Sequence, residues 1–545
     1  MLLDPATGNN FFGRHDILSL LRKRADGLHS GYRQNVCIIG PSHCGKTSLA
    51  YRFITSLDHK SLVPVYVEAK DKGLGEFIEK FTSTLVFKYQ DHIDKMPRTV
   101  KAVKLAESFM KSGKGGKAFR AVLEIPAVAY SETGLKPIVI LDEFDRLGTF
   151  GIEDVFAELG KFIMVQKDTM YIVTSSRIKQ ARDILSQKLS LLFGNFEICE
   201  LGTFDEKEAC GFIDSRLDRG GFPPELREFI AVFTGGHPFY MDSILVNLEK
   251  HNLDPSDTCF KDRLLDTFTE ILFDSKGILN QHFCSVITEL EKADRRFTSV
   301  LLALSAGARK HVDISSGSRI SGKEAAALLD TLMDLGRVSK HGAYYLIRDK
   351  VFGFWLKNVY QSKEYLFDAG YEPKISRFKD SVSGSIDSFA GECRNPKIKV
   401  AAELFMSFKG DLIEISDKSL RIPPFKSYRI NDPGTDRAGY ITLSDGRSDW
   451  IVLFGSAFLG DADIIDYLGY CKKAKSTLKR KIILTASGVG VNARLIAKDA
   501  KCLIWGSDEF NTLADIAGKQ RILLPVSDEE KAGVSLPDIM GLETA

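Results

Sequence analysis

Several features that would assign a protein to a special class are absent from this 545-residue sequence. Its nine cysteines are scattered and form no C-x-x-C pair, which argues against a disulfide framework and against a structural zinc site. No apolar run reaches the roughly 18 residues that a membrane helix needs, and the sequence does not open with a basic region followed by an apolar stretch. The 74 basic and 72 acidic residues nearly cancel, so the whole chain has no field that attracts nucleic acid or membrane. We therefore expect a cytoplasmic protein without membrane contact.

The composition is that of a globular protein, with 44% hydrophobic and 27% charged residues. The length exceeds what one hydrophobic core usually organises, which predicts roughly two to four domains. In the first half, apolar runs alternate with helical patterns, and these runs are 35–40, 62–68, 137–143 and 171–175. Continuous apolar strands separated by helices predict a parallel sheet covered on both faces, so we expect an α/β fold.

The rest of the chain divides into three further regions by its hydrophobic pattern. Residues 204–287 contain amphipathic helices without a convincing strand, which predicts a helical lid after the sheet. Residues 288–370 show two helices and then two short strands, the order of a winged helix. Residues 371–545 return to alternating strands and helices. With the core at 1–203, we predict four regions.

The strongest motif is G-x-x-x-x-G-K-[ST], which follows the predicted strand at 36–39 and opens a predicted helix at 48–57. Its glycines let the backbone wrap round phosphate so that N–H groups point inward, and the helix adds its positive end. The lysine reaches the β- and γ-phosphates, and the threonine hydroxyl is a ligand for Mg²⁺. The alternative is a glycine-rich turn with a buried lysine. The predicted nucleotide-binding residues of this loop are Gly40, Pro41, Ser42, His43, Cys44, Gly45, Lys46, Thr47 and Ser48.

A pair of acids ends the apolar strand at 137–143 and supplies the second half of such a site. Asp142 can complete the Mg²⁺ shell, and Glu143 can polarise a water for attack on the γ-phosphorus. Acid pairs also end strands as solvated turns. Together with Lys46, however, this pair favours ATP hydrolysis over binding alone.

Polar residues also end the strand at 171–175. Ligands sit at the carboxyl ends of strands in open parallel sheets, so we expect Thr174 or Ser175 to sense the γ-phosphate or orient water. Arg177 follows them and can neutralise developing negative charge. The alternative is that these are ordinary polar strand ends.

With these residues, the first 370 positions resemble the STAND and archaeal-type P-loop ATPases, relatives of AAA+ proteins and of origin-recognition initiators. Asn10-Phe11-Phe12-Gly13-Arg14 resembles the family's F-x-G-R motif, which lines the adenine pocket. Thr234-Gly235-Gly236-His237-Pro238-Phe239 resembles the G-x-P lid motif, whose proline rests against the base. Val173–Arg177 resembles the strand in which these ATPases end with a phosphate-sensing arginine, and Tyr345–Trp355 resembles the end of their winged helix.

The resemblance implies that ATP closes the lid and winged helix on the core, and that a partner or neighbouring subunit reads the switch. The family often has Gly-Arg just before the last core strand, where the arginine acts on a neighbour's nucleotide. Phe193-Gly194-Asn195 stands there in this sequence, and an amide does not stabilise phosphate charge as arginine does. Arg182 is an alternative arginine that no motif supports.

The region 371–545 resembles the restriction-nuclease-like domain that follows many of these ATPases. Such nucleases hold Mg²⁺ with an acid on one strand and an acid-x-lysine set on the next. Ser456 and Phe458 stand in place of that acid and lysine, and Gly439-Tyr440 stands on the preceding strand. We therefore expect a degenerate domain without cleavage chemistry. An active nuclease that uses the nearby Asp445 and Asp449 is the alternative.

Two basic segments are candidate contacts for nucleic acid. Residues Lys95 to Arg120 hold eight basic residues and one acidic, with a glycine-rich break, and Lys472 to Lys481 hold six basic residues. Either segment can track phosphates or be a solvated helix face. The expected function is a Mg-ATP-dependent switch that binds a protein partner or nucleic acid and can self-associate. The alternatives are a DNA-loading ATPase, which grips duplex through its winged helix and the first segment, and an ATP-regulated nuclease.

Overall fold

The computed structural model describes residues 5–69, 73–189, 196–217, 222–250, 260–362, 371–416, 418–431, 438–474, 478–522 and 524. Contacts divide the chain into two compact units. The first is Met1–Arg216 with Gly236–Asp242, and the second is Leu217–Gly235 with Ser243–Ala545. The four regions expected from the sequence subdivide the chain more finely, and their boundaries stay predictions.

The first unit is built on a five-stranded sheet whose strands are all parallel. The strands are β1 Asn35–Ile39, β2 Leu62–Glu68, β3 Lys136–Asp142, β4 Met170–Ser175 and β5 Phe196–Glu200. Their order is β2-β3-β4-β1-β5. The central strands β1, β3 and β4 are almost wholly buried, which is why they have continuous apolar sequences. The expected α/β fold is confirmed.

Helices cover both faces of this sheet and form a separate core on each. They are α1 His15–His29, α2 Lys46–Thr55, α3 Leu74–Lys88, α4 Pro97–Lys111, α5 Gly115–Thr133, α6 Val155–Val165, α7 Ile178–Asp183 and α8 Glu206–Arg216. Short 3-10 turns lie at Gly8–Asn10, Gln90–Lys95 and Phe144–Thr149, and a π-helical turn lies at Ile184–Lys188. The first basic segment, Lys95 to Arg120, lies in the α4–α5 hairpin, and the tip of this hairpin is the glycine-rich break.

The second unit begins with helices and continues into a helix-and-hairpin region. The elements are α9 Pro224–Thr234, α10 Pro238–Lys250, α11 Phe260–Phe268, α12 Ile278–Ala293, α13 Arg296–Ser305, α14 His311–Ser318, α15 Gly322–Asp334, β6 Val338–His341, β7 Tyr344–Ile347 and α16 Lys350–Trp355, with π-helical turns at Thr269–Phe273 and Leu356–Tyr360. The first residues of α10 belong to the first unit. Helices α13 and α15 and the β6–β7 hairpin are the elements expected of a winged helix, and α14 was not predicted.

The C-terminal part of the second unit is a mixed sheet between helices. Its elements are α17 Tyr371–Arg394, α18 Lys397–Met406, β8 Leu412–Ile415, β9 Lys418–Arg421, β10 Ser427–Asn431, β11 Ala438–Ser444, β12 Asp449–Gly455, α19 Asp461–Lys473, β13 Leu478–Thr485, α20 Val491–Asp499, β14 Leu503–Trp505 and α21 Ser507–Ala517. The sheet order is β10-β11-β12-β13-β14, antiparallel up to β12 and parallel beyond it. The hairpin β8–β9 is separate. None of the described helices is both long and apolar enough to cross a bilayer.

Candidate nucleotide site

The loop between β1 and α2 has the backbone shape that a phosphate site requires. Gly45 has φ of +99°, and His43 also lies in the left-handed region at +60°. A Cβ on Gly40 would stand 2.0 Å from the carbonyl oxygen of Leu201, so only glycine fits there. Helix α2 begins at Lys46, two residues before the predicted start, so its N-terminus opens directly onto the loop.

The loop residues divide into exposed and buried side chains. Pro41, Ser42 and His43 are exposed, whereas Cys44 is buried and its Sγ donates to the Leu201 carbonyl at 3.3 Å. Burial raises the pKa of the Cys44 thiol. Cys44 therefore contributes to this site through its backbone, and its side chain anchors the loop to the protein.

Lys46 lies at the centre of a hydrogen-bond network although it is almost fully buried. Its Nζ donates to the carbonyls of Gly40 at 3.0 Å and Pro41 at 2.9 Å, and to Ser176 Oγ at 2.8 Å. The same Nζ stands 3.9 Å from Glu143 Oε1. A buried ammonium needs such oxygen partners, and phosphate oxygens are of the same kind.

Asp142 is buried at the end of β3 and accepts three hydroxyl hydrogen bonds. Thr47 Oγ1 donates to its Oδ2 at 2.7 Å, Tyr66 OH donates to the same oxygen at 2.6 Å, and Thr174 Oγ1 donates to Oδ1. The two predicted magnesium ligands, Thr47 and Asp142, thus touch each other. Burial, followed by the Asp142 charge, raises the pKa of Tyr66 and keeps its proton on the phenol. The sequence analysis missed Tyr66, because nothing in an apolar strand signals that its tyrosine faces a carboxylate.

Glu143 follows in the left-handed conformation, with φ of +53°. Its carboxylate is held by residue 176: the backbone N–H of Ser176 donates to Oε2 at 3.1 Å, and Ser176 Oγ donates to Oε1. The Glu143 N–H donates to Thr174 Oγ1 at 3.2 Å. Ser176 therefore links Lys46 to Glu143, a role that the sequence analysis did not assign to it.

Thr174 and Ser175, the predicted sensors, are fully buried. The Thr174 hydroxyl is engaged with Asp142, and Ser175 Oγ donates to Asp145 Oδ1 at 2.6 Å. Both side chains hold acids in place, whereas Ser176 is partly exposed and contacts Lys46 directly. Their sensing roles stay predictions.

The contacts of Arg177 differ from those of the other predicted catalytic residues. Its side chain is half exposed, with Nε 3.8 Å from Asp145 Oδ2 and one guanidinium nitrogen 3.4 Å from Gln180 Oε1. Arg182 pairs with Glu200. The positions Phe193-Gly194-Asn195, where the family resemblance would place a glycine and an arginine, lie outside the described residues.

The predicted F-x-G-R motif packs against the chain that follows the sheet. The Phe12 ring lies 5.9 Å from the ring of Phe204 and 5.7 Å from that of Phe212. Gly13 has φ of +66°. Arg14 donates to the Gly202 carbonyl at 2.6 Å and stacks 4.3 Å above the Phe204 ring, and its burial lowers the pKa of the guanidinium. The motif thus fixes the start of the predicted lid to the core.

The predicted lid motif reaches the phosphate loop through the neighbours of Pro238, the first residue of α10. The His237 Nε2 lies 3.1 Å from the Ser42 carbonyl oxygen, and the Phe239 ring stacks on His43 at 4.9 Å. Ser48, at the other end of the loop, accepts a hydrogen bond from the Ala6 N–H at 2.9 Å.

These residues fit the groups that the motifs imply. A shaped loop at a helix N-terminus with a buried lysine suits a triphosphate. A threonine hydroxyl and a carboxylate in contact are oxygen donors of the kind that Mg²⁺ prefers beside nucleotide phosphates. Glu143 supplies a further carboxylate, 3.9 Å from Lys46 Nζ.

The C-terminal sheet separates its candidate nuclease residues. Strand β11 is antiparallel to β12, so Gly439 pairs with Phe454 at one end while Ser444 pairs with Asp449 at the other. Asp445 forms the connecting turn and accepts the N–H groups of Arg447 and Ser448, both at 2.7 Å, which lowers its pKa. Ser456 follows the far end of β12. Within the described residues, no cluster of three or more His, Cys, Asp or Glu side chains is suited to a metal ion.

The two basic segments have different local structures. Residues 95–120 form α4 and the start of α5, where Arg98, Lys101 and Lys104 are exposed along one helix face. In the second segment, predicted to lie on one helix, Lys472 and Lys473 end α19, and residues 479–481 lie in β13. Lys475 lies outside the described residues.

Comparisons with known proteins show what the first part of this chain is similar to. Residues 11–244 match the family model described as an ATPase domain predominantly from Archaea. The Walker-type ATPase of Pyrococcus abyssi is similar over 65% of this chain and 99% of its own, at 17% identity and a TM-score of 0.50. The ORC2 protein of Aeropyrum pernix is similar over 66% of this chain and 97% of its own, at 14% identity and a TM-score of 0.45. No curated protein sequence matches the chain significantly. The protein therefore has an archaeal-type ATPase domain, and its first sheet is that of a P-loop ATPase.

Proposed function

We propose that this ATPase is a Mg-ATP-dependent molecular switch of the STAND or AAA+ type, in which nucleotide state controls binding of a protein partner or nucleic acid. The observation that carries the proposal is the continuous contact between the phosphate loop and two acids: Thr47 with Asp142, and Lys46 through Ser176 with Glu143. A loop that only binds nucleotide has no need of the second acid.

Nucleotide binding would use the loop Gly40–Ser48 for the phosphates. Lys46 would exchange its contacts with the Gly40 and Pro41 carbonyls for phosphate oxygens. Phe12, Gly13, Arg14 and Pro238 would surround the base, as the resemblance to the family implies. Because Phe12 and Arg14 pack on residues 202–212, base binding and lid position would be coupled there.

Thr47 and Asp142 would hold the magnesium ion. The ion would supply neutralisation of charge on the β- and γ-phosphates during transfer to water. Thr174 and Tyr66 would keep Asp142 oriented toward Thr47, since both donate to the same carboxylate. Tyr66 suits this role because its raised pKa keeps it a donor.

Glu143 would be the base that accepts the proton of the attacking water. Ser176 holds its carboxylate through two donors and also accepts from Lys46, so Ser176 would transmit phosphate binding at Lys46 to the orientation of Glu143. Ser175 would position Asp145, which pairs with Arg177. Arg177 would approach the developing charge only if this pair opened.

The position of the lid would change when the loop binds phosphate. His237 and Phe239 contact Ser42 and His43, two exposed residues of the loop itself, so phosphate binding would change these contacts. A partner or a neighbouring subunit would recognise the resulting lid position. We place the switch in the cytoplasm, since the eight cysteines among the described residues are all free.

Binding and turnover of Mg-ATP test the proposal in two variants. Lys46→Ala removes the phosphate-binding ammonium, so ATP affinity should fall at least about 100-fold, the loss of a desolvated charge pair. Glu143→Gln keeps the shape of the side chain but removes the base, so binding should remain while turnover falls by about 10²- to 10⁴-fold. Lys60→Ala and Glu153→Gln, both at exposed positions of the same unit, are the matched controls. Full turnover in Glu143→Gln would refute the catalytic assignment.

A second candidate function, ATP-controlled binding of nucleic acid, is favoured by the α4–α5 hairpin. Arg98, Lys101, Lys104 and Lys111 lie at helical spacing on the exposed side of α4, and Leu105 is exposed among them. Such a stripe can follow a phosphate backbone. Fluorescence anisotropy with a short duplex across a salt series tests this: a steep salt dependence that becomes shallower in Lys101→Ala/Lys104→Ala supports it. Absence of salt-dependent binding favours a protein partner.

A further inference from the structure

The tip of the β6–β7 hairpin is covered by the C-terminal part of the same unit. The Ala343 N–H donates to the Leu412 carbonyl at 3.1 Å, and His341 Nδ1 lies 3.2 Å from the Glu414 carbonyl. A Cβ on Gly342 would stand 2.5 Å from the Leu412 carbonyl oxygen, so the backbone of the tip lies directly against β8. In a winged helix that grips DNA, this tip would have to be free to enter a groove.

Side chains reinforce the backbone contact through Asp411, the residue before β8. Tyr344 OH donates to Asp411 Oδ2 at 2.5 Å, and Lys310 Nζ lies 3.0 Å from Oδ1. Both carboxylate oxygens are therefore occupied, and these partners, Tyr344 first, lower the pKa of Asp411. Tyr344 and Leu346 also pack against the core beneath the C-terminal sheet.

A second attachment joins the same two parts at α21. Arg309 donates to the Ile516 carbonyl at 2.9 Å. Asp515 is mostly buried and pairs with Lys350 and, at 2.6 Å, with Arg521. Removing one partner of a buried ion pair leaves an uncompensated charge, so the loss of Lys350 or Asp515 alone would be costly.

Helix α15, which would be the recognition helix, presents an unsuitable charge to nucleic acid. Its exposed positions include Glu324, Asp330 and Asp334 against one base, Lys323. Carboxylates on such a face repel phosphates, whereas binding modules place Lys and Arg there. Charge and coverage are independent observations, and both oppose a DNA-reading role for this region.

We propose that the β6–β7 hairpin is a docking surface for the C-terminal domain of its own chain and not for nucleic acid. The region 288–362 and the C-terminal sheet then behave as one body, held at Asp411 and at Asp515. Any nucleic-acid binding by this chain would have to use another surface. The inference concerns the second unit alone and does not depend on ATP hydrolysis.

Hydrogen–deuterium exchange of the full chain without nucleotide tests the docking. Segments 338–347 and 410–416 should both be protected, and in Tyr344→Phe/Asp411→Asn both should exchange at least about tenfold faster, as expected when hydrogen bonds to a charged group are lost. Protection of β11, β12 and β13, the central strands of the second sheet, should not change, which shows that the second unit of the variant is folded. The control is Tyr345→Phe, which alters the neighbouring tyrosine and should leave both segments unchanged. A hairpin that exchanges without protection in the unaltered chain, or segments that respond separately, would overturn the proposal.

Binding to a short DNA duplex supplies a second, independent readout. Lys323→Ala and Lys340→Ala, on α15 and β6, should change affinity by less than about twofold at any salt concentration. A DNA-gripping winged helix would lose roughly 5- to 100-fold on losing such a contact. A loss of that size in either variant would refute the proposal even if ATP turnover were normal.

Discussion

The two five-stranded sheets of this protein differ in the side chains that lie at their strand ends. In the first sheet, all strands run in one direction, and Asp142, Glu143 and Ser176 come together with Lys46 at one edge. In the second sheet, β11 and β12 run in opposite directions and carry their acids at the turn, roughly 20 Å along β12 from Ser456. The first edge carries the groups that we propose to hold a metal and a phosphate, whereas the corresponding end of the second has glycine and serine.

Whether acids on neighbouring strands can form one site depends on which end of each strand carries them. A parallel strand order brings every carboxyl end to the same edge, so acids there converge. In an antiparallel pair, residues close in sequence, such as Asp449 and Ser456, can lie at opposite ends of one strand. Similar architecture therefore does not imply similar activity.

The largest expected difference between the two sheets is the loss of stability when a glycine at a strand end is replaced by alanine. Gly40→Ala would place Cβ 2.0 Å from a backbone oxygen, which cannot rotate away, so the first unit should lose about 3 kcal/mol or more. Gly455→Ala would meet the side chain of Leu459 at 2.9 Å, which can adjust, and should cost the second unit about 1 kcal/mol. Urea denaturation of both variants measures this. Equal losses would mean that the phosphate loop is no more tightly constrained than the second sheet.

Removing one acid from each edge should separate the two sheets by function. Asp142→Asn keeps the volume of the side chain but removes the proposed magnesium ligand. Loss of a residue that only supports a metal ligand already costs up to about 100-fold, so ATP turnover at fixed Mg²⁺ should fall by at least about 100-fold. Asp449→Asn should leave turnover unchanged. A magnesium titration of ATPase activity measures both. If Asp142→Asn needed no more Mg²⁺ than the unaltered enzyme, Asp142 would not be a ligand.

The serine at each edge gives a subtler contrast. Ser176→Ala removes the hydroxyl that links Lys46 to Glu143, so kcat should fall about 10- to 100-fold, the range expected for a hydrogen bond to a charged group. ATP affinity should change by less than about threefold, because Lys46 keeps its phosphate-binding ammonium. Ser456→Ala should change neither quantity. Weakened binding with normal kcat would instead assign Ser176 to the phosphate itself.

The smallest expected effect concerns a buried charge in the second unit. Burial, with help from Arg521, lowers the pKa of Lys350 to about 8, whereas the unfolded chain has a lysine pKa of about 10.4. Between these values the unfolded state binds more protons, so the stability of this unit should rise with pH, by at most about 1.4 kcal/mol per pH unit. Denaturation at pH 8 to 10 should show a steeper rise for the unaltered chain than for Lys350→Met. Identical slopes would mean that Lys350 titrates normally.

The sequence was a good guide where one physical signal decided the structure. Continuous apolar runs placed strands β1–β4 to within about a residue, because only buried parallel strands have that pattern. The fold brings the phosphate motif and the acid pair together, with Lys46 Nζ 3.9 Å from Glu143 Oε1 and Thr47 donating to Asp142.

The misses share a different cause. The sequence does not single out Ser176, because alternate residues of a strand face opposite sides and the sequence does not reveal where the strand stops. Strands β8 to β10 were not predicted, because short, half-exposed strands have too few apolar residues to stand out from loops. The contact of Tyr344 with Asp411 joins residues far apart in sequence, and no local pattern signals it.

Glu143 lies in a left-handed turn, where folding and the proposed hydrolysis favour different residues. A long acidic side chain adopts that backbone conformation at a cost of roughly 1 kcal/mol or more, and asparagine or glycine would adopt it more easily. Selection for folding alone would therefore replace Glu143. With Glu143 as the proposed base, the strained residue would persist only as long as hydrolysis matters to the organism, and a descendant that had given up turnover but kept nucleotide binding would be expected to relax this turn first.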